Sequence, residues 1–219
     1  MTTFPNSPRV LKGGLVLVDP GSGTLVRVIV LQYNADTLTR TLQPQAIGGD
    51  GQDRSQPLRL RGPAIETIKL EAEIDATDQL EFPDLNARTV QFGIHPELAA
   101  LETIVYPPSG RLLSNNTLAH LGTLEIAPME SPLTLFAWSK SRVVPVRITD
   151  LSVTEEAFDT SLNPIRAKVS LGLRVLSVDD LGFEHPGGSI FMAYLHGKEQ
   201  LAQQAPRGGL GDIGIGRLP

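Results

Sequence analysis

The run Ile165-Arg166-Ala167-Lys168-Val169-Ser170-Leu171-Gly172-Leu173-Arg174-Val175-Leu176-Ser177 decides the fold class. Ile165, Ala167, Val169, Leu171, Leu173 and Val175 alternate with Arg166, Lys168, Ser170, Gly172 and Arg174. Successive side chains of a strand point to opposite faces. The pattern therefore predicts a long strand with one buried surface and one that meets water or a partner. Asn163-Pro164 opens it. Upstream, Pro132–Trp138 and Arg142–Thr154 are apolar and β-branched, with a polar break at Glu155–Thr160, so the region reads as a late β-meander.

Ile65–Ala76 repeats the pattern. Ile68, Leu70, Ala72 and Ile74 share one side, and Lys69, Glu71, Glu73 and Asp75 the other. Three carboxylates on one strand face repel unless they are solvated or opposed by bases. Arg166, Lys168 and Arg174 are the natural opposites, either across the sheet or on a neighbouring subunit. Glu71, Glu73, Asp75, Arg166, Lys168 and Arg174 are thus the candidate subunit-interface or lumen-lining residues.

Elsewhere, Gly14–Val18 and Thr24–Tyr33 flank the turn cluster Asp19-Pro20-Gly21-Ser22-Gly23, a hairpin signal. Arg40–Leu42 extends the sheet, and Ala46–Pro57 reads as a glycine-rich loop. His95–Tyr106 predicts a helix, with Pro96 in its first turn and Leu98, Leu101, Ile104 and Val105 as its stripe. Pro107-Pro108 stops it. Ser109–Leu118 reads as a polar loop, Gly122–Ile126 as a short strand, Asp179–Gly188 as turns, and Ile190–Gln204 as a helix. Pro206–Pro219 reads as irregular. The expectation is an α+β, mainly β chain: an arm over residues 1–10, a β domain over 11–178 with one inserted helix, and a C-terminal extension over 179–219.

Composition narrows the function classes. A chain of 219 residues supports one sizeable domain. Its 24 acidic against 19 basic residues, with no basic block, argue against tracking a phosphate backbone, so no nucleic-acid partner is expected. There is no cysteine, which rules out disulfides, thiolate nucleophiles and sulfur-ligated metals. Met1–Asn6 shows no basic region followed by an apolar core, so synthesis in the cytoplasm without a cleaved signal is expected. No apolar run reaches bilayer length, so no membrane insertion is expected.

Catalytic motifs fare poorly. His95, His120, His185 and His196 lack the paired spacing of a zinc hydrolase. Gly209-Leu210-Gly211-Asp212-Ile213-Gly214 matches a dinucleotide fingerprint in letters, but only five residues follow it and no helix can cradle a pyrophosphate there. Ser22 and Ser189 neighbour glycines outside any strand-to-helix elbow. Asp179-Asp180 and Glu155-Glu156 read as solvated loop acids. No catalytic residue, metal or cofactor is expected, and the chain is not expected to be an enzyme.

Several of these segments together resemble a family, the tube-like baseplate proteins of contractile injection systems. Leu31-Gln32-Tyr33-Asn34 is similar to that family's apolar-Gln-aromatic-Asn-Pro element, with Ala35 in place of the proline. Ile68–Asp75 resembles the next family strand, and His95–Tyr106 with Pro107-Pro108 the helix after it. Leu133–Trp138 resembles the strand ending in tryptophan, and Val146–Val153 with Asn163–Val175 the closing pair. The resemblance covers residues 12–177. It implies a phage-tail-tube-like antiparallel β-barrel or sandwich that assembles with itself into a hexameric ring. Implied partners are the spike or hub protein, the inner tube protein and other baseplate or sheath components of the particle. The implied role is tube initiator or hub–tube adaptor, without catalysis. The LysM module usual in the family is not legible after Ser177. The alternatives are a bulk inner-tube subunit and, from another class, a monomeric ligand-binding β module.

Overall fold

The computed structural model describes residues 11–46, 59–120 and 131–217. Seven strands build one antiparallel sheet: β1 (Gly14–Val18), β2 (Leu25–Val30), β3 (Leu38–Ala46), β4 (Leu60–Asp75), β5 (Leu133–Ser139), β6 (Arg142–Phe158) and β7 (Pro164–Val175). Their order is β2-β1-β5-β6-β7-β4-β3. The helices are α1 (Thr77–Leu80), α2 (Ala87–Phe92), α3 (His95–Glu102), α4 (Ser109–His120), α5 (Val178–Leu181) and α6 (Pro186–Gln203). None of them is long and apolar enough to cross a membrane. The chain is α+β and mainly β, as the alternating runs require. The sheet is open, where the tube-like expectation was a barrel or sandwich. Its edges, β2 and β3, are consecutive in the chain and joined by residues 31–37.

The long strands follow from their periodicity. Opposite Ile68, Leu70, Ala72 and Ile74 of β4 stand Leu173, Leu171, Val169 and Ala167 of β7. Beyond these come Ile148, Leu151 and Val153 of β6. This inner face is dry, with Ile68, Ala167, Val169 and Leu173 wholly buried. Ile94, Leu98 and Leu101, from the Gly93–α3 corner, join the same core. So do Phe191 and Tyr194 of α6, so the segment after Ser177 packs onto the β domain. Phe136 stacks on Trp138 with ring centres 5.7 Å apart.

Several boundaries differ from the sequence expectation. Ser109–His120 is helical, not a polar loop. Pro108 begins this helix: its carbonyl accepts from the N–H groups of Arg111 and Leu112. Inside α4, the Ser114 and Thr117 hydroxyls donate to carbonyls one turn back, at 2.9 and 3.0 Å, so these polar residues need no loop. The single inserted helix becomes a chain of short ones, α1 to α4, and α3 stops at Glu102. β6 runs through the anticipated break to Phe158, with register shifts between Glu155 and Phe158 absorbing the polar residues. β3 is longer than Arg40–Leu42. Within the turn-rich Asp179–Gly188, Ser177 caps α5 in a capping box with Asp180. The Gly209–Gly214 stretch holds only a 3-10 turn, Leu210–Ile213. The arm over residues 1–10, the loop from 47 to 57 and the strand expected at Gly122–Ile126 lie outside the described residues.

The corner between α2 and α3 is pinned to β7. Gly93 has φ 56° and ψ −134°, a conformation open mainly to glycine, and a Cβ there would collide with the Pro164 carbonyl oxygen. The next residue, Ile94, donates its N–H to that oxygen at 2.9 Å. Gly93→Ala is expected to cost about 2 kcal/mol or more. Urea denaturation reads this directly, and an unchanged midpoint would show that the corner is not held against β7.

Candidate assembly surfaces and their clamps

The outer sheet face gathers the six residues singled out in the sequence. Asp75 stands opposite Arg166 and Glu73 opposite Lys168, while Glu71 faces Ser170 and Arg174 faces Thr67. Acid and base therefore meet across the sheet within one chain. The Arg166 Nε lies 2.7 Å from an Asp75 oxygen and 4.0 Å from Glu73. Lys168 turns to Glu156 of β6 at 2.9 Å, and Arg174 to Asp180 of α5 at 2.7 Å. Glu71 has no ion-pair partner among the described residues. Arg166 and Lys168 are over two-fifths exposed, so these pairs contribute little to stability. Their effect is to balance most of the charge between β4 and β7 within one chain.

Burial pushes the Asp75 carboxyl up, but hydrogen bonds from the Thr77 hydroxyl and N–H and from Arg166 outweigh it and hold the group below the usual carboxylate range. Its backbone is held as well. The Gln32 carboxamide donates to the Asp75 carbonyl at 2.6 Å and accepts from the Asp75 N–H at 2.8 Å. Those are the two bonds a neighbouring strand would make. Two residues on, Asn34 accepts from the Gly13 N–H at 2.9 Å and donates to the Leu11 carbonyl at 2.8 Å. Leu31, immediately before Gln32, is buried. The Leu31-Gln32-Tyr33-Asn34 element is thus a double clamp, tying the break between β2 and β3 to the end of β4 and the start of β1. A cavity of about 260 Å³ remains between β2, Ala72–Ile74 of β4 and α3.

Among the described residues, the β2 edge is unpaired on its outer side and largely apolar. Leu31 donates to Gly13 across the β1 pair, so by antiparallel alternation the N–H and C=O groups of Val28 and Val30 point away from the sheet. Val28 and Val30 are half exposed. The β3 edge is polar instead, with Thr39, Thr41, Gln43 and Gln45 along it.

A charged cluster on the inner face escaped the sequence reading. Glu66 is in phase with Ile68 and Leu70 on β4, and its side chain is only 5% exposed. Arg40 of β3 contacts it through Nε and Nη2, both at 2.7 Å. From α6, the Tyr194 hydroxyl donates to it at 3.0 Å and the Lys198 Nζ at 2.8 Å. Lys198 also sits 4.1 Å from the centre of the Tyr194 ring. Burial pushes the Glu66 carboxyl up, yet Arg40 and Lys198 together hold it below its ordinary value. The legible signal was a carboxylate falling on the apolar parity of a strand.

A larger cleft, about 970 Å³, opens where the β1–β2 hairpin, the end of α3, the starts of β5 and β6 and the N-terminus of α6 converge. Among the described residues, Arg27, Arg147, His185 and Tyr106 are its charged or titratable lining residues. The four histidines are dispersed: His95 begins α3, His120 ends α4, His185 caps α6 by accepting from the Gly187 N–H at 3.0 Å, and His196 lies exposed on α6. Among the described residues, no three His, Asp or Glu converge as a metal cage. No protein-family model matches the chain, and no curated protein matches it.

Two substitutions test the clamps. Gln32→Ala leaves the Asp75 N–H and C=O without their partner and is expected to cost about 1–3 kcal/mol. Gln32→Glu is expected to fail similarly, since a carboxylate cannot donate to the carbonyl; urea midpoints equal to the parent's would remove the clamp. Glu66 contributes stability above the unfolded carboxylate pKa, and this is lost as pH falls through its lower folded value. In Glu66→Gln that part of the acid-side slope of melting temperature against pH is expected to vanish, with lower stability at neutral pH. A variant retaining the parent's slope would show that the cluster carries no linkage.

Proposed function

We propose that this chain is a structural ring component of a contractile injection system baseplate, linking the spike or hub to the inner tube and templating tube assembly. The observation that carries the reading is the open sheet. Two consecutive strands form its edges, one of them apolar and bearing backbone groups unpaired among the described residues. Such edges are normally blunted or paired, and a ring of copies pairs them with different flanks of the next molecule. The double clamp at Leu31–Asn34 supports the reading by holding those edges in a fixed relation. The family resemblance supplies the kind of particle. The role is geometric: a ring that matches the spike complex on one side and the first tube layer on the other, without catalysis.

Of the two arrangements open to the outer-face charges, pairing within one chain accounts for Asp75, Arg166, Lys168 and Arg174. Because Asp75, Arg166, Lys168 and Arg174 are compensated within one chain, the ring contact falls to the edges and loops. A bulk inner-tube subunit is the nearest rival. A monomeric ligand-binding β module is favoured only by the 970 Å³ cleft.

Purified together with its neighbouring gene products, the protein is expected to form closed rings at the base of the tube in electron micrographs. Quantitative mass spectrometry of whole particles is expected to count one ring's worth of copies. Copies in tube-like number would favour the bulk subunit, and a monomer in intact particles would remove the proposal.

A further inference from the structure

The β6–β7 hairpin ends in a turn that works against its own sequence. Leu162 is the one non-glycine residue with positive φ among the described residues, at 64°, and it is 78% exposed. Glycine or asparagine adopts that conformation at lower cost than a branched apolar residue. The leucine recovers nothing by burial in its own chain. The turn around it is nevertheless braced. The Asp159 carboxylate accepts from the Ser161 N–H at 2.7 Å, the Asn163 N–H at 2.8 Å and the Asn163 side chain at 2.8 Å. Asn163 also donates to the Gln91 carbonyl at 3.3 Å, fastening the tip to α2. Phe158, at the last position of β6, is half exposed. A held, strained and outward-facing apolar side chain points to a contact beyond the molecule.

The large cleft described above has the complementary character. Among the described residues no carboxylate lines it, and Arg27 and Arg147 are its permanent charges. The tip is the reverse: Phe158 and Leu162 are accompanied by Glu155 and Asp159, while Glu156 is already paired with Lys168. The two features sit at opposite ends of β6. From Ile148 at the cleft to Asp159, the strand extends up to roughly 35 Å at its usual rise, so a molecule's tip does not reach its own cleft.

We infer that the β6–β7 tip of one copy docks in the β1–β2/α3 cleft of the next. Leu162 and Phe158 enter the apolar cleft, while Glu155 and Asp159 approach Arg27 and Arg147. Different surfaces meet, so the contact is heterologous and passes from copy to copy, around a ring or along a stack. The inference rests on the proposal that the chain assembles with itself, and it names the contact.

Because the chain has no cysteine, engineered thiols test it without background. Thr103 lines the cleft and is exposed. The double variant Leu162→Cys/Thr103→Cys is expected to give, after mild oxidation, a ladder of covalent multimers on non-reducing gels. Each single variant is expected to give dimers at most. Leu162→Gly relaxes the turn, so its melting temperature is expected to stay level or rise while self-association weakens at least about tenfold by sedimentation. Oligomers that form normally, yet give no ladder and ignore Leu162→Gly, would overturn the tip-to-cleft contact and leave ring assembly standing. A parent chain that stays monomeric at every concentration reached would overturn both.

Discussion

The register of β7 between β4 and β6 is the constraint on which the rest depends. A slip of one residue would send Ala167, Val169, Leu171 and Leu173 to water and bury Arg166, Lys168 and Arg174. With the register set, the inner face offers a continuous apolar floor, and α3 and α6 cover it from different parts of the chain. The same register places Arg166 beside Asp75, so the charge pairing on the outer face and the dryness of the inner one have a single cause.

A second constraint acts where the hydrogen-bonded ladder stops. β2 and β3 are the two edges of the sheet although they follow one another in the chain. Gln32 and Asn34 span the discontinuity with side-chain amides that imitate strand neighbours. This leaves β2, among the described residues, with unpaired backbone groups and exposed valines, yet in a defined position. An edge that is both unpaired and positioned is suited to completion by another molecule. Leu162, beyond the far end of β6, is a second outward-facing apolar feature held in place by its own turn.

Much of this was legible in the residues. The alternation in Ile65–Ala76 and Ile165–Val175 located β4 and β7, because two-fold side-chain periodicity survives any tertiary context. The turn cluster Asp19–Gly23 located the first hairpin, where the Asp19 side chain does bind Ser22. Pro96 and Glu97 marked the start of α3. Other features were hidden. Ser109–His120 is rich in serine, asparagine and threonine, which propensity assigns to loops, but the preceding prolines preset the first turn. Glu66 stood in phase with the apolar side of its strand, and only Arg40, Tyr194 and Lys198 make that position tolerable. These partners come from β3 and α6, far away in the chain.

By itself the sequence determined the strand-dominated class, the faces of the long strands and the absence of cysteine chemistry, because all three depend on local periodicity or on residue type alone. The tertiary structure decided which edges stay open, that the acidic and basic runs satisfy each other within one molecule, and that α6 is latched over the sheet through Glu66. It also decided the clamp between Gln32 and Asp75 and the outward pose of Leu162. Those outcomes depend on which distant segments meet, a consequence of packing that no local pattern encodes.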